Sequence, residues 1–185
     1  MDYIITDGFG GMTQMTEFLL EQGHRDLMFV GTPTATKKIT DRYLGYCKAL
    51  EKAGIKKAQA QVLPARDFVN GDYRIDIELP ERLPEAFVCN CDKTAAILIE
   101  KLMSRGIRVP EDVSVVGFDD YKAQLTGDLK VTTYENDEKV IAQISMNTLL
   151  KRIEGRRNTS GVRIVEGSMV EGNTVGIRRT QSVGR

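Results

Sequence analysis

Val109-Pro110-Glu111-Asp112-Val113-Ser114-Val115-Val116-Gly117-Phe118-Asp119-Asp120 joins a short apolar strand to two adjacent carboxylates. Pro110 stops the helix predicted before it, and Val113, Val115 and Val116 form a β-branched run of the kind buried on both faces of a parallel sheet. The pattern predicts a short central strand. In open parallel sheets ligands sit in the crevice beyond the carboxyl ends of the strands, so Asp119 and Asp120 stand where ligand-facing groups are expected. Catalysis, metal binding and passive ligand binding are the chemistries that such an acid pair supports.

Working outward, strands and helices alternate along most of the chain. Asp2–Asp7 reads as a strand with no strand before it, and a glycine-bearing turn (Gly8-Phe9-Gly10-Gly11) then leads into a helix with Met12, Met15, Phe18 and Leu19 at helical spacing, ended by Gly23. Arg25–Gly31 is the second strand. A polar loop from Thr32 to Thr40 precedes a helix over about 40–53, with Leu44, Cys47, Leu50 and Ala53 on one face and Arg42 in its first turn. Ala60–Pro64 is a weaker third strand. The segment 66–83 reads either as a hairpin turned at Asn70-Gly71 or as a short helix, and the need for a crossover between parallel strands favours the helix. Ala86–Asn90 is the fourth strand, and Asp92 is placed to cap the helix after it, whose stripe is Ala95, Ala96, Leu98, Ile99, Leu102 and Met103. After strand 113–118, an irregular loop reaches strand 131–134. A last helix then starts near Asn136 or Asp137, with Val140, Ile141, Ile144, Leu149 and Ile153 as its face, and Val162–Val165 and Ser168–Val170 close the chain as strands. This alternation predicts an α/β fold around a parallel sheet.

At 185 residues the chain holds one sizeable core or two small lobes. Twenty-six basic residues balance twenty-six acidic ones, whereas a free-standing nucleic-acid binder carries a basic surface. No apolar run reaches the roughly 18 residues of a membrane helix, and no signal-peptide pattern opens the sequence, which predicts a cytoplasmic protein. Cys47, Cys89 and Cys91 suggest no disulfide framework, and with His24 as the only histidine a zinc site is not expected. The Gly8–Gly11 turn lacks the third glycine and the later acid of a dinucleotide-binding fingerprint, so glycine there serves tightness. Arg42 either pairs with Asp41 at the surface or grips an anionic or polyhydroxyl ligand.

Several short motifs then fall in order at matching intervals. Gly23-His24-Arg25 precedes a strand, Arg42-Tyr43-Leu44-Gly45-Tyr46 opens a helix, and Lys52-Ala53-Gly54-Ile55 closes it. Pro84–Cys89 leads to Asp92 and Ala95, Gly106–Asp120 follows, and Thr132-Thr133 and Leu149–Ile153 complete the series. Together they resemble the effector-binding region of the LacI/GalR family of bacterial transcriptional regulators. The resemblance implies a periplasmic-binding-protein-like lobe with helices on both faces of a parallel sheet, plus part of a second lobe. Residues 1–7 are then a crossover strand from the incomplete lobe, 8–130 the distal effector-binding lobe, 131–160 the returning helix of the incomplete lobe, and 161–185 closing strands and a frayed tail.

Carried over by position, Arg42 matches an arginine that commonly contacts the effector, and Asp119 an acid that accepts hydrogen bonds from it. Phe68 resembles an aromatic wall for a sugar or base. Cys91 stands where a ligand-contacting asparagine is common, and Glu171-Gly172-Asn173-Thr174 replaces a usual arginine and serine. The resemblance implies a non-enzymatic sensor without cofactor or metal, whose partner is a small molecule, such as a sugar or sugar derivative. It also implies a homodimer in the full-length protein, with DNA contacted only through an N-terminal helix-turn-helix that this chain lacks. A solute receptor of a transport system and a nucleotide-dependent α/β enzyme, with Gly8–Gly11 and Asp119/Asp120 as its site, are the alternatives.

Overall fold

In the computed structural model, which describes residues 2–56, 61–66, 72–73, 77–122, 125–156 and 160–178, the elements follow in the order β1 (Tyr3–Thr6), α1 (Gly8–Glu21), β2 (Leu27–Val30), α2 (Lys37–Lys52), β3 (Gln61–Leu63), β4 (Ala86–Cys89), α3 (Asp92–Ser104), β5 (Ser114–Val116), β6 (Thr133–Glu135), α4 (Glu138–Ile153), β7 (Val162–Val165) and β8 (Ser168–Val170). The expected α/β architecture is present. Strands β3-β2-β4-β5 form a sheet in that order, each neighbour parallel to the next. Successive side chains of a strand point to opposite faces, and both faces are filled. Leu27, Phe29, Ala86, Val88 and Val116 face Met12, Met15 and Leu19 of α1 and Tyr46, Ala49 and Leu50 of α2. Met28, Val30, Phe87, Cys89 and Val115 face Ala95, Leu98, Ile99 and Leu102 of α3. The result is a three-layer lobe.

Four local expectations are corrected. The glycine run is not a separate turn but the first turn of α1, because Asp7 caps the helix by accepting from the Gly10 N–H at 2.7 Å. Helix α2 starts at Lys37, capped by Thr36 whose Oγ1 accepts from Ile39 N, so Arg42 lies in the second turn, clear of the unfavourable N-terminal dipole. Its inward face is Ile39, Arg42, Tyr46, Cys47, Ala49 and Leu50, so Cys47 and Leu50 are buried as expected, while Leu44 and Ala53 are exposed. Gly45 lets α2 lie close on α1, since a Cβ there would collide with the Phe9 carbonyl. In the segment 66–83, Arg66 and Tyr73 form an antiparallel bridge, the pairing of a hairpin, and none of the described residues there has the favoured helical conformation; Phe68 lies outside the described residues.

Strand β5 is also not central. It ends the sheet order, and its outer edge is closed by Thr132, in a parallel bridge to Val116, and by the segment 173–178. Val115 N donates to Thr174 O at 2.8 Å, and buried Thr174 Oγ1 donates to Val115 O and accepts from Thr132 N. Asn173 bonds both Lys130 N and Asp128 O, and Arg178 N donates to Gln22 O. His24 Nε2 donates to Gly176 O at 2.9 Å and lies 3.1 Å from Ser114 Oγ, which accepts from Gly176 N. This His–Ser contact is structural. The bond to a carbonyl puts the proton on Nε2, Nδ1 has no partner to orient the ring as a base, and both residues are buried.

Burial is the main cause of a lowered His24 pKa, from an ordinary value of 6.5. The stability that neutral His24 supplies is therefore fully present above pH 6.5 and lost as pH falls through the lower folded value. Compared with His24→Gln in urea denaturation, the natural chain is expected to lose additional stability as the pH falls below 6.5. An equal pH slope in both would contradict the assignment.

Outside this lobe, β1 pairs in parallel with β7, β6 pairs antiparallel with β8, and α4 lies against β1. The stripe expected on α4 divides. Ile141 and Ile144 are half-buried and Thr148 is buried, but Val140, Leu149 and Ile153 are exposed, the last at 73%. Tyr3, Ile5, Val162 and Ile164 are likewise exposed on one face of the β1–β7 pair. Among the described residues no helix is long and apolar enough to cross a membrane.

Candidate functional site

Strands β2, β4 and β5 end together, and the loops beyond them bring distant residues to one place. Arg42 reaches over from α2, buried to 5% exposure. Its guanidinium holds Asp119 in a two-pronged pair, Nη2 to Oδ1 at 2.6 Å and Nη1 to Oδ2 at 2.9 Å, and Nη1 also donates to the Asn90 carbonyl at 2.6 Å. The plane lies on the Phe118 ring, with Cζ 4.1 Å from its centroid, and Phe118 stacks on Tyr134 at 4.9 Å. Such a fork-to-carboxylate contact fixes orientation as well as charge. Asn136, between β6 and α4, donates to Asp119 Oδ1 at 2.8 Å. Arg42 and Asp119, two of the four residues that the resemblance marks out, are thus together as partners of one another.

Asp119 has φ +96° and Asp120 φ +49°, backbone conformations that residues other than glycine rarely adopt. Strain of this kind persists where the surroundings fix the chain, and here it turns the Asp119 side chain back toward Arg42 while its N–H donates to Tyr134 O. Two buried polar atoms at the site, Arg42 Nε and Asn90 Oδ1, have no hydrogen-bond partner. Buried polar groups are ordinarily paired, so two such atoms side by side stand out. Beside Asp119, a cavity of about 500 Å3 opens between the Asp119–Asp120 turn, residues 135–139 and the β7–β8 turn. Its lining is acidic, with Glu135, Asp137, Glu138 and Glu166 against Lys139.

Cys91 is near but outside the Arg42–Asp119 network. It caps α3 without a side-chain capping bond, and its Sγ lies 3.4 Å from Thr94 Oγ1 and 3.7 Å from the Tyr73 hydroxyl. The Tyr73 ring is covered by Arg66 and Lys93, at 4.0 and 4.5 Å from its centroid. Sequence reasoning missed Tyr73, whose signal was only an aromatic residue after Asn70-Gly71. It also took Asp92 for a helix cap. Asp92 is instead the first residue of α3, 1% exposed, and its carboxylate accepts from Thr133 Oγ1 and from Tyr121 N, both at 2.7 Å. Burial pushes its pKa up to about 7 against these two bonds. Among the described residues, no group of three or more His, Cys, Asp and Glu side chains is arranged to hold a metal ion.

A family model described as a periplasmic binding protein-like domain matches residues 16–175. The chain belongs to this family. Within it, the resemblance to LacI/GalR effector-binding regions is borne out. The chain is 28% identical over 155 residues to the HTH-type transcriptional repressor PurR of Glaesserella parasuis, covering 83% of this chain and 46% of that protein. The structure of a LacI family transcriptional regulator from Enterococcus faecium with bound ribose superposes with a TM-score of 0.84 at 24% identity, over 96% of this chain and 66% of that one. The complex of the transcriptional regulator CelR with cellobiose gives 0.76 at 24% identity, over 94% and 54%. These relatives are regulators and not enzymes, and the periplasmic binding protein-like fold is common to all. The chain spans about half the length of the curated relatives it matches.

Proposed function

We propose that this chain is the effector-sensing region of a bacterial transcriptional regulator, which takes a small polyhydroxyl molecule, a sugar or sugar derivative, beyond the strand ends at Arg42 and Asp119. The observation that carries the reading is the buried Arg42–Asp119 pair flanked by unpartnered Arg42 Nε and Asn90 Oδ1. The carboxylate, anchored on both oxygens, keeps lone pairs for ligand hydroxyls, and Asn90 offers a second acceptor. Ribose and cellobiose in the two structural neighbours support the ligand class. Phe68 as a stacking wall and Cys91 as a polar contact belong to this proposal.

In the whole protein, residues 1–7 and 131–160 are crossover and returning pieces of a second lobe, and 8–130 is the lobe that carries the site. Effector binding shifts a homodimer between states of different DNA affinity, with DNA held by an N-terminal helix-turn-helix. A thermal-shift screen of sugars, sugar phosphates and purines against the full-length gene product tests this. Stabilisation by one of them is expected, with loss of the ligand-induced shift in Asp119→Ala, since a ligand selective for the folded form raises stability by mass action. An undiminished shift in Asp119→Ala would remove the site from this place.

A further inference from the structure

We propose that Asp92 is a positioning residue of the ligand site, fastening the turn that carries Asp119 to strand β6, so that binding at Asp119 is transmitted to the segment leading into α4. The inference deepens the effector-binding reading and rests on it.

The geometry is a closed circuit. Asp92 N donates to Phe118 O at 2.9 Å, and Asp92 Oδ2 accepts from Tyr121 N, so the turn is pinned on both sides of Asp119. Asp92 Oδ1 accepts from Thr133 Oγ1, and that hydroxyl accepts from Asp120 N at 3.4 Å. With Asp119 N on Tyr134 O, the N–H groups of 119, 120 and 121 all lead to Asp92 or β6. These bonds hold the left-handed backbone at 119 and 120. Gly117 makes room for them, because a Cβ at that position would collide with Asp92 Oδ1. Three residues further along from Thr133, Asn136 donates to the Asp119 carboxylate itself, and Asp137 caps α4. One buried carboxylate thus ties ligand-facing turn, crossover strand and outgoing helix together.

Its charge is not neutralised by a neighbour. The turn presents Asp119, which disfavours the ionised form, and β4 presents the Cys89 thiol, raised by its own burial and by Asp92. Strand β6 offers the uncharged Thr133. Arg42 is committed to Asp119, and Lys93, next on α3, lies over Tyr73. The observed geometry places a donor on each carboxylate oxygen, which is the pattern of the ionised group. A ligand that donates to Asp119 disperses the charge facing Asp92 and favours release of its proton. By reciprocity, affinity rises with pH through neutrality, and each unit by which binding lowers the Asp92 pKa gives about a tenfold gain.

Carbon-13 NMR titration of the Asp92 carboxyl and amide exchange at Asp120 and Tyr121, in the 185-residue chain, test the circuit without a ligand. Asp92 is expected to titrate near neutrality, to move downward in Asp119→Asn and upward in Thr133→Val. Faster exchange at both amides should accompany Thr133→Val, and Thr133→Ser should restore them. Titration in the ordinary carboxylate range, or no response to Thr133→Val, would overturn the proposal. A second arm measures D-ribose and cellobiose binding to the full-length gene product at pH 6 and 8, where affinity about three- to tenfold higher at pH 8 is expected, with the difference flattened in Asp92→Asn. Sugar binding that needs Asp119 but ignores pH, Asp92→Asn and Thr133→Val overturns the positioning role alone. Sugar binding indifferent to Asp119→Asn, or none, overturns the effector reading, while the titration still decides the circuit.

Discussion

Arg42→Ala is expected to lower the unfolding free energy by about 2–4 kcal/mol, read as a shifted urea midpoint at unchanged slope. Removing the guanidinium strips Asp119 of two charge-assisted bonds and the Asn90 carbonyl of its 2.6 Å donor, and bares one face of the Phe118 ring. The size reflects unequal burial, since the Arg42 side chain is 6% exposed but that of Asp119 is 35%, so water recovers part of the loss at the carboxylate. Arg42→Lys should recover only a minor part, because an ammonium keeps the charge but neither the fork nor the stacking plane. In a double-mutant cycle with Asp119→Asn, the coupling should exceed about 1 kcal/mol. A cost for Arg42→Ala below 1 kcal/mol would show that the pair does not hold the site together.

Phe118→Ala should be costlier, about 3–5 kcal/mol. The ring is fully buried, stacks on Tyr134, carries Arg42 on its other side, and packs so close to Gly11 that a Cβ there would lie 2.9 Å from Cζ. Phe118→Leu keeps most of the volume and loses the π face, so its smaller cost, about 1–2 kcal/mol, isolates the stacking and cation–π contribution. Chemical denaturation of both variants checks this. Equal losses would mean that the aromatic face and not volume matters at this position, and an unchanged stability in Phe118→Leu that volume alone does.

The three-layer lobe was legible because its strands are too apolar to face water on either side and its helices carry glycine stops with positive φ at Gly23, Gly54 and Gly106. Arg42 and Asp119 were legible as residue types at a strand end and inside a helix. Their direct pairing was not, because it depends on how far the 118–121 turn folds back, which two left-handed aspartates decide. Asp92 was misread for a related reason. An aspartate before a helix normally bonds its own backbone, but here Gly117 opens a path to a better donor, Thr133, 41 residues away. The amphipathic stripe of α4 failed in another way, for periodicity reports only that a face is apolar and not that anything described covers Val140, Leu149 and Ile153.

The segment 173–178 also governs when this lobe reaches its final form. It closes the part of the outer edge of β5 that Thr132 leaves open and locks His24 through a bond spanning 152 positions of the chain, so Val115 lacks its edge partner until Thr174 has left the ribosome. Contacts of such long sequence separation form late and slowly. The lobe is therefore completed after and not during synthesis of its sheet, and for that interval an unpaired apolar strand edge is exposed to other nascent chains.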